Sequence, residues 1–134
     1  VDLSRAIDAV PVLERPRIDR DAASLSGSRC PECGAVSWPA RAVCHRCGAA
    51  GLEVIAISRV GSLISFTRCW VPRPGLEPPF TIGQVKFPEG VTVFGHVRGL
   101  PEGVRVPTPV RVVLAANEDA VPAFWFAPEG GAGA

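Results

Sequence analysis

Methionine is absent from all 134 residues, position 1 included. This is expected of a chain whose initiator has been removed, either a mature protein or an excised domain. No apolar run approaches the roughly 20 residues that cross a bilayer, and no charged-then-apolar leader opens the chain. A membrane span is not expected, and the chain reads as cytoplasmic. A dominant charge is missing too: 14 Lys+Arg stand against 13 Asp+Glu, a formal +1. Nucleic acid binds largely through many phosphate neutralisations, so this balance argues against it as a partner. Lysine is nearly missing, with Lys86 alone beside 13 arginines. That bias suits bidentate contacts to carboxylates or phosphates, although genomic base composition produces it as well. No pair of carboxylates suggests acid–base chemistry, and Glu118-Asp119 reads as a solvated turn.

What the chain does have is cysteine in two tight pairs, Cys30-Pro-Glu-Cys33 and Cys44-His-Arg-Cys47, each followed by glycine, Gly34 and Gly48. A CxxC turn aims two sulfurs at one point, and the glycine permits a sharp turn without a Cβ clash. Two facing knuckles supply four thiolates in a tetrahedron, the closed set of a structural zinc site. All four positions are protein, so no bound water can be activated and the metal is structural. A rubredoxin-like iron site uses similar knuckles. Two disulfides fit less well, because a fifth cysteine, Cys69, is left over. Four zinc-bound thiolates and one Zn²⁺ would take the formal +1 to about −1. Reduced, metal-bound thiols suit the cytoplasm.

Asp2 to Val10 reads as a short helix, with Leu3, Ala6, Ile7 and Val10 on one face, Asp2 as cap and Pro11 as stop. So short a helix must dock on its own chain or on a partner. Residues 11–28 are polar without a clear period. After the ribbon come five β-type segments: Val54 to Val71 interrupted by Gly61, Phe80 to Phe87, Val91 to Arg98, Val104 to Ala115 and Val121 to Phe126. Gly61 is expected to bend the long first strand, and Pro88-Glu89-Gly90 to turn a hairpin. In the third segment Val91, Val93, Gly95 and Val97 share one face. The fold expected is mainly β, with a rubredoxin-like zinc ribbon and then a five-stranded OB-type barrel; an SH3-like barrel is the rival. The divisions are 1–28 N-terminal helix and linker, 29–53 zinc ribbon, 54–128 OB-fold domain and 129–134 flexible tail.

Several stretches, in order, carry a family likeness: Arg29-Cys30-Pro31-Glu32-Cys33-Gly34, then Trp38-Pro39-Ala40-Arg41, then Gly61-Ser62-Leu63-Ile64-Ser65-Phe66-Thr67. Pro79 ahead of Gly83-Gln84-Val85, Glu89-Gly90-Val91 and Val121-Pro122-Ala123-Phe124 continue it. The chain resembles the two-domain zinc-ribbon/OB-fold proteins associated with acyl-CoA enzymes. The resemblance implies a non-catalytic accessory subunit of a thiolase-fold enzyme (thiolase, condensing enzyme or retro-aldolase), with some members linked to hydratases. It would dock on that enzyme, help form the acyl-CoA binding passage and sit in a two-plus-two heterotetramer of lipid or aromatic acid metabolism. Two features depart from the family: no aromatic residue precedes Trp38, and Val106-Pro107-Thr108-Pro109-Val110 stands where a glycine is usual.

Arg29, Arg41 and Arg46 flank the metal ligands and Arg73 lies in a later loop. Guanidinium forks there suit a partner or the phosphates of coenzyme A, or they are simply solvated. His45 reads as an exposed knuckle residue. Cys69 is the one thiol left for nucleophilic chemistry, which would need a base such as His96; a structural cysteine is the commoner case. The loop Val71-Pro72-Arg73-Pro74-Gly75-Leu76-Glu77-Pro78-Pro79 is stiff. Between Trp70 and Phe80, it offers a surface to a partner or a pantetheine arm, or serves as a rigid connector. The alternative function is single-stranded nucleic-acid binding, with Phe94 and Trp70 as stacking platforms.

Overall fold

A computed structural model describes residues 17–116 and 120–129. The expected helix at Asp2–Val10, the Glu118-Asp119 turn and the tail from Gly130 lie outside the described residues. Among the described residues every regular element is a strand, and no helix there is long and apolar enough to cross a membrane.

The first four strands, β1 (Ile18–Asp19), β2 (Ser24–Arg29), β3 (Val36–Ser37) and β4 (Glu53–Ala56), make one antiparallel sheet around β2. Residues 24–28, expected as linker, are therefore its central strand. The sequence hides this because Ser24, Ser26 and Ser28 are polar yet buried, at 0, 4 and 1 % exposure. Buried hydroxyls need partners. Ser24 Oγ donates to the carbonyls of Ile57 and Ser58. Ser28 Oγ shares a 2.8 Å hydrogen bond with Ser37 Oγ and accepts from Arg41 N–H at 3.0 Å. Gly27 is required between them, since a Cβ would sit 2.6 Å from the Ser37 carbonyl oxygen.

The remaining five strands are β5 (Val60–Cys69), β6 (Phe80–Lys86), β7 (Thr92–Val97), β8 (Thr108–Leu114) and β9 (Phe124–Pro128). They close into a barrel in the order β5-β6-β7-β9-β8, with β8 returning to β5. The strand expected from Val54 to Val71 is thus two. Its first part, β4, belongs to the ribbon sheet, and the chain changes sheets at Ile57–Arg59. The register shift in β5 falls between Leu63 and Ser65, not at Gly61. Gly61 instead allows close packing, since a Cβ there would lie 2.7 Å from Val85 Cγ1. The β6–β7 hairpin turns as expected, with Gly90 N–H on the Phe87 carbonyl and Gly90 at φ 91°.

Alternation fills the barrel. Val91, Val93 and Val97 are buried while Thr92, Phe94 and Arg98 are exposed, and Leu63, Val85, Phe87, Val110, Val112 and Phe126 complete the core. Leu25 of β2 and Ile57 of the crossing segment join the same cluster. Full burial of each is worth about 1.5–3 kcal/mol. Trp38 adds an edge-on contact to Phe124, with centroids 5.3 Å apart, and Arg20 donates to the Ala115 carbonyl. β2 and the crossing segment thus pack into the barrel's core, while the knuckles gather a second, smaller cluster around Cys30, Ala35 and Cys44.

Candidate metal centre and barrel-face cleft

The two knuckles repeat one backbone pattern. Cys30 N–H bonds Ala35 and Gly34 N–H returns to Cys30; Cys44 N–H bonds Ala49 and Gly48 N–H returns to Cys44. Both glycines sit at φ 78°, in the left-handed region that a Cβ disfavours. The four sulfurs all lie within 4.8 Å of one another. Cys30 and Cys47 sulfurs are 3.6 Å apart, and those of Cys33 and Cys44 are 3.5 Å apart. A zinc tetrahedron with bonds near 2.3 Å has edges of about 3.8 Å, so the donor set fits zinc closely.

Electrostatics agree. The N–H groups of Cys47 and Arg46 point at the Cys44 sulfur and hold its thiol down to about 6. At Cys47 the Ala49 N–H pulls the same way, but crowding by the neighbouring sulfurs, Cys30 foremost, pushes that thiol up to about 12. One thiolate is welcomed here and another is opposed. A dication at the centre removes that opposition. When bound, zinc supplies the cross-link that so small a ribbon needs to hold its shape. Cys30 and Cys44 are buried, whereas His45 and Arg46 between the second pair are exposed. Arg41 is exposed beside them, its Nε donating to the Val43 carbonyl at 3.2 Å, and Arg29 ends β2 opposite Glu53.

A second constellation lies on the barrel, away from these arginines. The outer face of β5–β6–β7 places Thr67 beside Ile82, Ile82 beside His96, and Cys69 beside Phe80. The proline-rich loop after β5 borders this face and forms with it an open cleft of about 630 Å³, walled by Trp70, Val71, Arg73, Leu76, Phe80 and His96 among others. Arg73, Trp70, Cys69 and His96 are thus brought together, which strand periodicity alone did not reveal. Among the described residues no hydrogen bond joins Cys69 to His96. The His96 ring packs 5.6 Å from that of Phe80. Burial, followed by the positive charge of Arg98, lowers its pKa from 6.5, so the imidazole is neutral at pH 7. Phe94 stands exposed farther along the same outer face, opposite Gln84. Sequence reasoning missed Arg68 and Ile82 as cleft walls; the stiff loop, Leu76 included, was the available signal. Another cavity, about 590 Å³, opens between Phe66, Arg68 and the Gly99–Val104 segment.

Comparison with known proteins places this architecture. The ChsH2 rubredoxin-like zinc ribbon domain matches residues 23–53, and the ChsH2 C-terminal OB-fold domain matches residues 54–115. The chain belongs to the ChsH2 zinc-ribbon/OB-fold family. It is similar to the benzoylsuccinyl-CoA thiolase subunit BbsA of Thauera aromatica, 32% identical over 118 residues, which cover 86% of this chain and 81% of the relative. A DUF35 domain-containing scaffold protein of Methanothermobacter thermautotrophicus is 27% identical, over 77% of this chain and 84% of its own length. Among solved structures, the Ltp2-ChsH2(DUF35) aldolase aligns with a TM-score of 0.64 at 25% identity, over 85% of this chain and 98% of that one. The OB-fold match settles the choice against an SH3-like barrel, and the ChsH2 ribbon is the segment that carries the four cysteines.

Proposed function

We propose that this chain is a non-catalytic accessory subunit that docks on a thiolase-fold enzyme and lends one wall to its acyl-CoA passage. The partner would carry nucleophile, base and oxyanion hole. The likeness to a protein named as a thiolase subunit, running through ribbon and barrel together, carries this reading. The relative named as an aldolase supports it.

The surface suits docking. Trp70, Val71, Phe94 and Val121 are 66, 68, 59 and 59 % exposed, and large apolar groups left together in water mark partner surfaces. Trp70 and Val71 begin the proline-rich loop, Phe94 lies on the adjoining outer face, and Val121 sits against Gly75 of that loop. Arg41 and Arg46 on the ribbon and Arg73 on the loop are the candidates to meet partner carboxylates or coenzyme A phosphates. In this reading the acyl group is chosen by the partner's pocket. The assembly is a cytoplasmic two-plus-two heterotetramer, because thiolase-fold enzymes are dimers as a rule.

Co-expression with a thiolase-fold protein, sought first among the neighbouring reading frames, tests the proposal. The expected result is one complex by light scattering, and an enzyme whose acyl-CoA turnover depends on this chain. Two proteins that elute apart, the enzyme fully active alone, would overturn it. So would acyl-thioester turnover by the isolated chain.

A further inference from the structure

The cleft under the proline-rich loop is chemically one-sided. Its walls are largely apolar and aromatic, with Trp70, Leu76, Phe80 and Ile82 among them, yet Arg73 also lines it and no carboxylate does among the described residues. Arg68 borders it too, but alternates with Thr67 and Cys69 on β5 and also lines the neighbouring cavity that Glu102 lines. Neither guanidinium has a hydrogen bond or ion pair among the described residues. Glu77 of the same loop lines the adjoining cleft with Arg98 instead. Trp70 is 66 % exposed and has no ring partner among the described residues. Its indole face is therefore open, while Phe80 and His96 already pack on each other as a fixed floor. At about 630 Å³ the space falls in the range of small-molecule sites.

The geometry points to a binding site for a flat apolar ligand carrying one anionic group, its ring against Trp70 and Phe80 and its anion at Arg73. Charge complementarity selects this occupant. An apolar body gains by leaving water at the cleft wall, and the Arg73 guanidinium, with no carboxylate lining the cleft among the described residues, favours a negative end over a neutral or positive one. The stiffness of a loop with four prolines in nine residues keeps the ordering cost low. The site is built by this chain alone. It uses Trp70 and Arg73, which the accessory-subunit reading offers to a partner, so a docked partner and this ligand would compete for them, and the ligand is tested on the chain by itself.

The zinc-loaded full chain, titrated with 2-naphthoate and followed by the Trp70 indole N–H in ¹H–¹⁵N spectra, tests it. Binding at about 1 mM or tighter is expected, the order usual for so small a ligand. 2-Naphthalenemethanol should bind about tenfold more weakly, and the corresponding amine more weakly still. 2-Naphthyl phosphate, run in parallel, tells whether the anion preferred is a carboxylate or a phosphate. Arg73→Gln should abolish the preference for the acid over the alcohol, and Trp70→Ala should weaken both. Both positions are exposed, so unchanged thermal midpoints are expected and are checked. Equal binding of acid and alcohol by the unaltered chain overturns the inference, as does a Trp70 signal that does not move up to the solubility of the ligand. Loss of partner binding with naphthoate binding intact would leave it standing, so the two proposals fail separately.

Discussion

Glu89, at the tip of the β6–β7 hairpin, holds Ser58. Its carboxylate accepts the Ser58 N–H at 3.2 and 3.3 Å and the Ser58 hydroxyl at 2.6 Å. Ser58 lies where the chain leaves the ribbon for the barrel, and its carbonyl also receives the Ser24 hydroxyl from β2. One carboxylate thus ties barrel hairpin, crossing segment and central ribbon strand.

Removal of that carboxylate should loosen the joint. Glu89→Ala leaves a partly buried N–H and hydroxyl to find new partners, which costs about 1–3 kcal/mol. Glu89→Gln retains an acceptor oxygen and should cost less. Urea unfolding followed by tryptophan fluorescence measures both. An alanine variant as stable as the unaltered chain would show that the tie adds nothing.

Loss of metal should be felt beyond the ribbon. Leu25 and Ile57 sit in the barrel's core, so a ribbon that opens withdraws apolar contacts from the barrel. Elemental analysis is expected to give one zinc per chain. Chelation should lower the stability of the whole in a single transition, because metal binding and folding are linked. Cys30→Ser, at the most buried ligand with 1 % exposure, should act like the chelator. Barrel amides whose hydrogen exchange is unchanged after chelation would contradict the shared core.

The knuckles and the hairpin were legible in the sequence because each depends on residue types at fixed short spacing: cysteine, glycine and proline. The alternation of Val91, Val93 and Val97 was legible for the same reason. β2 was not, because its inward positions are serines, whose burial rests on acceptors at Ile57, Ser58 and Ser37 that lie far along the chain. The cleft was half legible. The proline-rich loop announced itself, but only strand register brings Thr67, Ile82 and His96 abreast. Gly61 misled because glycine marks bends and close contacts alike, and only the position of Val85 decides between them. Gly27→Ala tests the same point in the ribbon. It would force a Cβ within 2.6 Å of a backbone oxygen, and a loss of about 1–3 kcal/mol is expected.

His96 should make stability depend on pH in a defined direction. Its folded pKa lies below 6.5, so between the two values the unfolded chain binds more protons than the folded one. Stability then rises with pH across that window and falls as pH drops below about 6.5. The size is modest because the ring is half-buried. Urea midpoints measured from pH 7.5 to pH 5 should fall more steeply for the unaltered chain than for His96→Gln. Parallel curves would show that His96 contributes nothing to the slope.

The barrel face carries the aromatic side chains that a single strand of nucleic acid would stack on, Phe94 and Trp70, and for that reason its charge decides. A strand-binding groove needs cations spaced along the backbone path, each adding about 0.7 to the salt slope. Here Arg98 already lies over the Trp125 ring, 4.4 Å from its centroid, and the formal charge of +1 falls to about −1 once zinc is bound by four thiolates. A fluorescently labelled oligothymidylate should therefore show no rise in anisotropy with the zinc-loaded chain at low salt. Binding that weakens steeply as salt is added would reverse this conclusion and make the aromatic face a nucleic-acid platform.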